Sequence, residues 1–256
     1  MKNVRMLGAC CNYGQRRYGP RLAPYYIEDR MRVPVEKVKE KPDTNIFDYD
    51  MLYRVHQERS KDNHIVTIGG DHSIAYSTIS SSLHTYKDSL HVVWIDAHTD
   101  IHTQSTSHSK NLHGMPVGHL MGFENHPIAK FDRTNLDPSQ ITYIGIRDID
   151  DAESERLNLF NIYSGLENLA DRIQGKDVYI SLDMDSMDPT VFPCTGTPVR
   201  KGLSLEDVLQ IIQTVGTRAV GLDLVEFDPL VRRSESDACL EHIDKILRTY
   251  SDCVVH

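Results

Sequence analysis

The 256-residue chain has few of the features that mark membrane, secreted or nucleic-acid-binding proteins. No apolar run approaches the roughly 18 residues that a membrane helix requires, and residues 1–5 contain no hydrophobic signal stretch. A formal net charge of −9 argues against binding to nucleic acid, because that requires a basic surface. We therefore expect a soluble, cytoplasmic protein that binds neither nucleic acid nor membranes.

Cysteine is also scarce, and its spacing excludes two kinds of scaffold. The five cysteines are odd in number and form no Cys-x-x-Cys pair. Neither a disulfide framework nor a cysteine-ligated zinc site is indicated, so a reducing compartment is expected. The adjacent Cys10 and Cys11 follow a predicted strand, and we interpret them as small buried residues.

Short runs of β-forming residues recur along the chain and are nearly continuous in apolar character, which is typical of parallel strands buried on both faces. Strands are predicted at residues 4–7, 64–68, 90–95, 141–146, 178–182 and 219–225. Helices are predicted at residues 74–86, 166–174 and 205–215, and a surface loop at residues 34–43. The alternation predicts an α/β fold. Because no linker interrupts it, we expect residues 1–256 to form one domain.

Carboxylates and imidazoles are concentrated just after three of these strands. The carboxyl ends of parallel strands lie at one edge of a sheet, so these groups are expected to converge. Buried like charges at this density require a cation among them. The six candidate metal ligands are His72, Asp96, His98, Asp100, Asp183 and Asp185. In the 96–100 segment, alternate residues point the same way if the backbone stays extended or bends gently.

Six ligands are too many for one tetrahedral zinc ion and suit two ions that share carboxylates and a solvent oxygen. Oxygen and nitrogen donors without thiolate favour manganese, with cobalt, nickel, iron and zinc as alternatives. A water between two such ions loses a proton near neutral pH and becomes a nucleophile. The alternative interpretation, in which these residues only form turns and helix caps, fits single positions better than three clusters.

Three motifs that carry these residues resemble those of the ureohydrolases, which comprise arginase, agmatinase and formiminoglutamase. They are Gly69-Gly70-Asp71-His72-Ser73, Asp96-Ala97-His98-Thr99-Asp100 and Ser181-Leu182-Asp183-Met184-Asp185-Ser186-Met187-Asp188-Pro189, continued by Thr195-Gly196-Thr197-Pro198. The motifs stand in the family's order and rough spacing, and the resemblance extends over essentially the whole chain. It implies an arginase-like three-layer α/β/α fold with a central parallel sheet and two Mn²⁺ ions per chain.

The resemblance also implies roles for individual residues. One ion would be held by His72, Asp96, Asp100 and Asp183, and the other by Asp96, His98, Asp183 and Asp185. Hydroxide bridging the ions would attack a guanidinium carbon, and the tetrahedral intermediate would collapse to urea and an amine. Glu226 would pair with the guanidinium, and His113 would pass a proton to the leaving amine. Together with Asp100, these two residues form the expected catalytic set.

The loop at residues 109–116 resembles the arginase version, which makes L-arginine the expected substrate, hydrolysed to L-ornithine and urea. By this resemblance Ser109 and Asn111 would contact the substrate carboxylate, and Asp150 would face the α-amino group. Thr197 is also expected in the substrate site. His102 departs from the family, because arginases usually have asparagine there. Its imidazole is larger and can titrate, which affects how the amino acid is bound.

Other functions are compatible with the same ligands. A related ureohydrolase would act on agmatine, guanidinobutyrate or formiminoglutamate, and a non-catalytic arginase-like protein would keep the fold and metals without turnover. Binuclear phosphoester hydrolysis is disfavoured, because no Gly-Asn-His-Glu segment accompanies the Asp-x-His pair. The chain is shorter than typical arginases and ends soon after its last helix, so a homo-oligomer of any particular size is left open.

Overall fold

The computed structural model describes residues 3–132, 134–158, 161–163 and 166–255. These residues form an eight-stranded sheet in which every neighbouring pair of strands is parallel, as predicted. The strands are β1 Asn3–Ala9, β2 Glu36–Val38, β3 Asn63–Ile68, β4 Leu90–Ile95, β5 Ile141–Ile144, β6 Asn161–Tyr163, β7 Asp177–Asp183 and β8 Ala219–Val225. Their order across the sheet is β2-β1-β3-β8-β7-β4-β5-β6.

Helices cover both faces of the sheet, which gives the predicted three layers. They are α1 Ala23–Met31, α2 Tyr49–Arg59, α3 Ala75–Tyr86, α4 Pro116–Leu120, α5 Ser154–Leu157, α6 Leu169–Arg172, α7 Leu205–Val215 and α8 Ser236–Val254. Val93 and Ile95 of β4 pack in the core formed with α1, α7 and α8, whereas Val92 and Trp94 pack with α3 and α4. Burial on both faces explains the continuous apolar runs. None of the described helices combines the length and apolar character needed to cross a membrane.

Helix α7 begins and ends where the sequence predicts. The Ser204 hydroxyl accepts a hydrogen bond from the Asp207 backbone N–H at 3.1 Å, and the Asp207 carboxylate accepts one from the Ser204 N–H at 2.8 Å. This reciprocal pair satisfies two N–H groups that the first helical turn leaves unpaired. Gly216 follows the helix with a φ of 57°, which favours glycine and ends the helical conformation.

Two predictions of local structure are wrong. The 34–43 segment contains the edge strand β2, which pairs with β1 and buries Val38. Its three residues are too short and too charged to show a strand pattern, as is common for protected edges. The helix predicted at 166–174 is limited to the single turn α6, because Asn168 adopts a left-handed conformation with a φ of 61°. The edge strand β6 was also not predicted.

The sheet order places four strand ends side by side. Strands β3, β8, β7 and β4 are consecutive neighbours, and all run in the same direction. His72 lies just beyond β3, Glu226 beyond β8, Asp185 beyond β7 and Asp96 beyond β4. Residues far apart in sequence are therefore brought to one edge of the sheet.

Candidate metal centre and active site

The His72 side chain lies at the centre of a group of carboxylates. Its Nδ1 atom is 3.0 Å from an Asp96 oxygen, 3.2 Å from an Asp100 oxygen and 3.2 Å from an Asp183 oxygen. Among the described residues, this buried nitrogen nevertheless has no hydrogen-bond partner of acceptable geometry. Three anionic oxygens beside an unsatisfied imidazole nitrogen are what a shared divalent cation requires.

The orientation of the His72 ring is fixed from its other side. Nε2 is hydrogen-bonded to the Ser181 hydroxyl at 2.9 Å, and the ring stacks on Trp94 with centroids 4.2 Å apart. The indole N–H of Trp94 in turn donates to Asp96 at 3.0 Å. Such contacts hold Nδ1 towards the carboxylates, as in histidines that bind metals.

A second group of ligand atoms surrounds His98. Its Nδ1 is 3.2 Å from an Asp185 oxygen and 3.4 Å from the second Asp96 oxygen. The first group consists of His72, Asp96 and Asp100, and the second of His98, Asp96 and Asp185. Within each group the ligand atoms lie within 4.8 Å of one another. Asp96 belongs to both groups, so its carboxylate is placed to bridge two ions. The donor set of carboxylates and imidazoles fits manganese.

Burial and mutual repulsion make this carboxylate cluster unfavourable without a cation. Burial, followed by the charge of Asp96, raises the pKa of Asp100 to about 7. Burial and the charges of Asp185 and Asp96 raise the pKa of Asp183 well above its usual range. Without a metal ion, these carboxyl groups therefore take up protons. A metal ion that binds must displace those protons, which couples metal binding to pH.

The ligands after β4 do not converge through an extended backbone. Asp100 has a φ of 50°, so the chain turns at this residue. The turn directs Asp100 towards His72, whereas His98 faces Asp185. An extended or gently bent backbone is therefore not the way in which Asp96, His98 and Asp100 come together.

Glu226 is a buried carboxylate with several hydrogen bonds. It accepts from the backbone N–H of His72 at 3.0 Å, and from the Gln15 side-chain amide at 2.9 and 2.7 Å. His113 Nδ1 lies 3.2 Å from the same carboxylate. Burial raises the pKa of Glu226, but the contact with His113 outweighs it, and the pKa lies below its usual value. Gln15 was not predicted, since a lone glutamine in a polar loop carries no sequence signal.

A cavity of about 300 Å³ opens over the candidate metal ligands. It is lined by His98, Asp100, His102, His113, Gly114, Asp148, Asp150, Glu153, Asp183, Asp185 and Thr197. The lining is acidic, and among its described residues there is neither lysine nor arginine. A cavity of this charge fits a cationic ligand.

Comparison with known proteins agrees with this architecture. A sequence model of the arginase family matches residues 2–243. The chain belongs to the arginase family. It is 41% identical to the arginase of Eremothecium gossypii over 186 residues, which cover 64% of this chain and 46% of that protein. It is 34% identical to the arginase of Plasmodium berghei over 211 residues, which cover 74% of this chain and 59% of that protein.

The crystal structure of Entamoeba histolytica arginase in complex with L-ornithine has the same fold. The TM-score is 0.78 at 26% identity, and the match covers 98% of this chain and 99% of that chain. The arginase-like fold is therefore confirmed. The matches to the two curated relatives span only about half of their length, 46% and 59%.

The residues expected to bind substrate in this arginase-family chain fall into two groups. His102, His113, Asp150 and Thr197 line the cavity. Ser109 lies outside its described lining, and Asn111 lines a neighbouring cavity together with Arg16 and Lys110. Glu226 also lies outside the lining and reaches the cavity through its contact with His113.

His102 contacts two carboxylates at the far side of the cavity. Its Nε2 lies 3.7 Å from Asp150 and 3.7 Å from Glu153, and its Nδ1 lies 3.2 Å from the Thr106 hydroxyl. Glu153 and the cavity residue Asp148 were not predicted. Both lie in the acidic 148–155 segment, which is indistinguishable in sequence from a solvated surface.

Proposed function

We propose that this arginase-family chain is a binuclear manganese hydrolase that converts L-arginine and water to L-ornithine and urea. The observation that carries the proposal is the shared position of Asp96 between two ligand groups beneath an acidic cavity. The cavity charge suits a cationic guanidine. The Entamoeba histolytica arginase of similar fold was crystallised with L-ornithine, which supports an amino acid of this type as the ligand.

Two divalent cations would supply the Lewis acidity that makes water a nucleophile near neutral pH. Their ligands would be His72, Asp96, His98, Asp100, Asp183 and Asp185. Asp100 lines the cavity beside them and can accept a hydrogen bond from the attacking water. Glu226 is ionised, because its pKa is lowered, and can attract the guanidinium. Oε2 of Glu226 accepts a hydrogen bond from the Gln15 amide and keeps a second acceptor site for a guanidinium N–H.

We propose His113, which lines the cavity, as the group that donates a proton to the leaving amine. Burial lowers its pKa, but the hydrogen bond and charge of Glu226 outweigh burial and raise the pKa to about 9. The imidazole is therefore protonated at neutral pH, as a general acid requires. At the far side, Asp150 and Glu153 offer carboxylates to an α-amino group, with His102 between them in contact with both.

A second candidate is hydrolysis of agmatine or another guanidine without an amino acid carboxylate. It is favoured by one observation, the position of Ser109 and Asn111 outside the described lining of the cavity. These two residues are the ones that the family resemblance assigns to the carboxylate. The acidic lining accommodates the amine end of a substrate in either case.

An assay of product release decides between these functions. Metal-free protein and protein loaded with Mn²⁺ are compared on L-arginine, agmatine and guanidinobutyrate by urea release, and on formiminoglutamate by formamide release, because its formimino carbon carries a hydrogen and cannot leave as urea. We expect manganese-dependent urea release from L-arginine. Loss of activity in Asp96→Asn, with activity kept in the surface control Asp244→Asn, would tie turnover to the metal centre. Turnover of agmatine alone would replace arginine as the substrate, and metal binding without turnover of any guanidine would indicate a non-catalytic protein.

We propose that residues 1–256 form one domain and that the protein is located in the cytoplasm. Both statements stay predictions from the sequence, as does the formation of a homo-oligomer.

A further inference from the structure

The guanidinium of Arg147, in the loop after β5, is surrounded by backbone carbonyl groups. Nη1 donates to Gly145 O at 2.9 Å and to Ser186 O at 3.1 Å. Nη2 donates to Asp185 O at 2.7 Å and to Val199 O at 2.8 Å. Nε donates to Arg200 O at 3.1 Å. A guanidinium has five N–H groups, and each of them here has a carbonyl acceptor.

These carbonyls belong to three different segments around the metal centre. Gly145 directly follows β5, Asp185 follows β7, and Val199 follows Thr197, a residue of the cavity lining. The packing around the guanidinium is tight, because a Cβ at Gly202 would lie 2.7 Å from Nη2. Main-chain bonds of Leu203 with Ser186 and Asp188 also join the second and third segments, and Arg147 adds a link from both of them to the loop after β5.

The joined segments meet again at the Asp185 side chain. Its carboxylate accepts a hydrogen bond from the Thr197 hydroxyl at 2.7 Å and one from the Ala97 N–H at 3.3 Å. Arg147 thus binds the backbone carbonyl of Asp185, and Thr197 binds its side chain. Thr197 lies on the loop whose carbonyls Arg147 also contacts. A metal ligand must be placed within about 0.2 Å, so the position of both loops matters for binding.

We propose that Arg147 is a positioning residue that sets Asp185 and Thr197 for the metal ion on the His98 side of the centre. It touches neither substrate nor metal and acts through the backbone. Lysine cannot replace it, because an ammonium has three N–H donors without the planar fork, and at least two carbonyls would lose their partner. The inference rests on the proposed metal site, but it does not depend on which guanidine is hydrolysed.

Two variants separate position from charge. Arg147→Lys keeps the positive charge near the carboxylate cluster and loses the five-fold contact, whereas Arg147→Gln loses both. The matched control is Arg218→Lys, since Arg218 also donates to two backbone carbonyls, Thr214 O and Val215 O, each at 3.3 Å. Arg218 directly precedes β8 and so lies at the opposite end of this strand from Glu226.

Calorimetric titration of the metal-free proteins with Mn²⁺ provides the test. In both Arg147 variants we expect one of two binding events to weaken about 10- to 100-fold, the effect typical of lost outer contacts to a metal ligand, and the other to change much less. The Arg218→Lys protein should bind as the wild type does. Thermal melting of the metal-free proteins should show folded protein in each case.

Several outcomes would overturn the proposal. They are unchanged Mn²⁺ binding in Arg147→Lys, equal weakening of both events, and a wild type that binds no Mn²⁺. If neither variant folds, Arg147 supports the whole fold and the proposal is also wrong. Because the titration does not use turnover, its result is independent of whether L-arginine is hydrolysed.

Discussion

Nδ1 of His113 lies 3.2 Å from Oε1 of Glu226, which joins the loop before α4 to the end of β8. Both side chains are largely buried, so the contact is little screened by solvent. Each residue stabilises the charged form of the other. The pKa of Glu226 is lowered, and that of His113 is raised to about 9.

Removing the carboxylate should lower the pKa of His113. In Glu226→Gln we expect it to fall from about 9 towards the usual 6.5, because burial lowers it and only the weaker effects of the Asp100 and Asp71 charges still raise it. NMR titration of labelled histidine in the metal-free protein measures this directly. Glu153→Gln is the control, since Glu153 contacts His102 rather than His113. An unchanged pKa in Glu226→Gln would contradict the assigned cause.

The same pair should make stability depend on pH. The pKa of His113 is raised on folding, so the stabilisation is fully present below about 6.5 and is lost as the pH rises through about 9. Urea unfolding of the metal-free wild type should therefore show a decline between these pH values. Glu226→Gln should lack this decline, and a parallel decline in both proteins would place its origin elsewhere.

Substitution of single ligands should affect the two ions differently. Asp96→Asn should weaken binding of both ions, because Asp96 belongs to both ligand groups. Asp100→Asn should weaken the ion beside His72, and His98→Asn the ion beside Asp185. Counting bound Mn²⁺ after dialysis against dilute metal distinguishes these cases, and we expect fewer than one ion per chain only for Asp96→Asn. Equal stoichiometry in all three variants would argue against a shared Asp96.

A buried carboxyl group away from the metal ligands offers a separate test of stability. Asp223 on β8 accepts hydrogen bonds from the Tyr179 hydroxyl at 2.7 Å and the Thr78 hydroxyl at 2.5 Å. Burial outweighs these contacts and raises its pKa from 3.8 to about 6. Its stabilising effect is therefore greatest below pH 3.8 and is lost as the pH rises through about 6.

Asp223→Asn should remove this dependence. Between pH 4 and 7 the free energy of unfolding of the wild type should fall relative to the variant by up to about 3 kcal/mol, the equivalent of the pKa shift. Denaturant unfolding across this range measures the difference. Asp244→Asn, on the surface of α8, should track the wild type. Identical pH profiles for wild type and Asp223→Asn would show that Asp223 does not titrate in this range.

The clustering of the six candidate metal ligands could be predicted from the sequence because they directly follow strand ends. Once β4 and β7 are recognised as buried parallel strands, Asp96 and Asp183 must lie at the same edge of the sheet. Neither strand order nor long-range contact is needed for that inference. The pattern of residues along the chain is therefore enough to select six side chains that the structure brings together, and their role as metal ligands stays a prediction.

The surrounding residues could not be predicted for a physical reason. Gln15 and Arg147 act through contacts with groups more than 35 positions away, the Glu226 carboxylate and the Asp185 carbonyl among them. A polar side chain in a loop has no local pattern that distinguishes such a contact from hydration. The edge strands escaped prediction because three residues are too few to show a period.

His102 provides the sharpest test of substrate choice. Its Nε2 lies 3.7 Å from both Asp150 and Glu153, so it competes with a substrate α-amino group for these carboxylates. In His102→Asn the shorter amide should release them and can donate to the substrate carboxylate. We expect the KM for L-arginine to fall about fivefold, the equivalent of one hydrogen bond of about 1 kcal/mol, with kcat little changed.

Agmatine keeps the guanidinium and lacks the α-carboxylate, so it isolates the contact that His102→Asn is expected to add. If the introduced amide binds that carboxylate, KM should fall for L-arginine and stay within about twofold for agmatine. His108→Asn, in the exposed part of the same loop, is the control and should change neither value. Equal changes for both substrates would mean that residue 102 acts on a group that both share, such as the amine, or on the metal centre, and its role in reading the α-carboxylate would have to be abandoned.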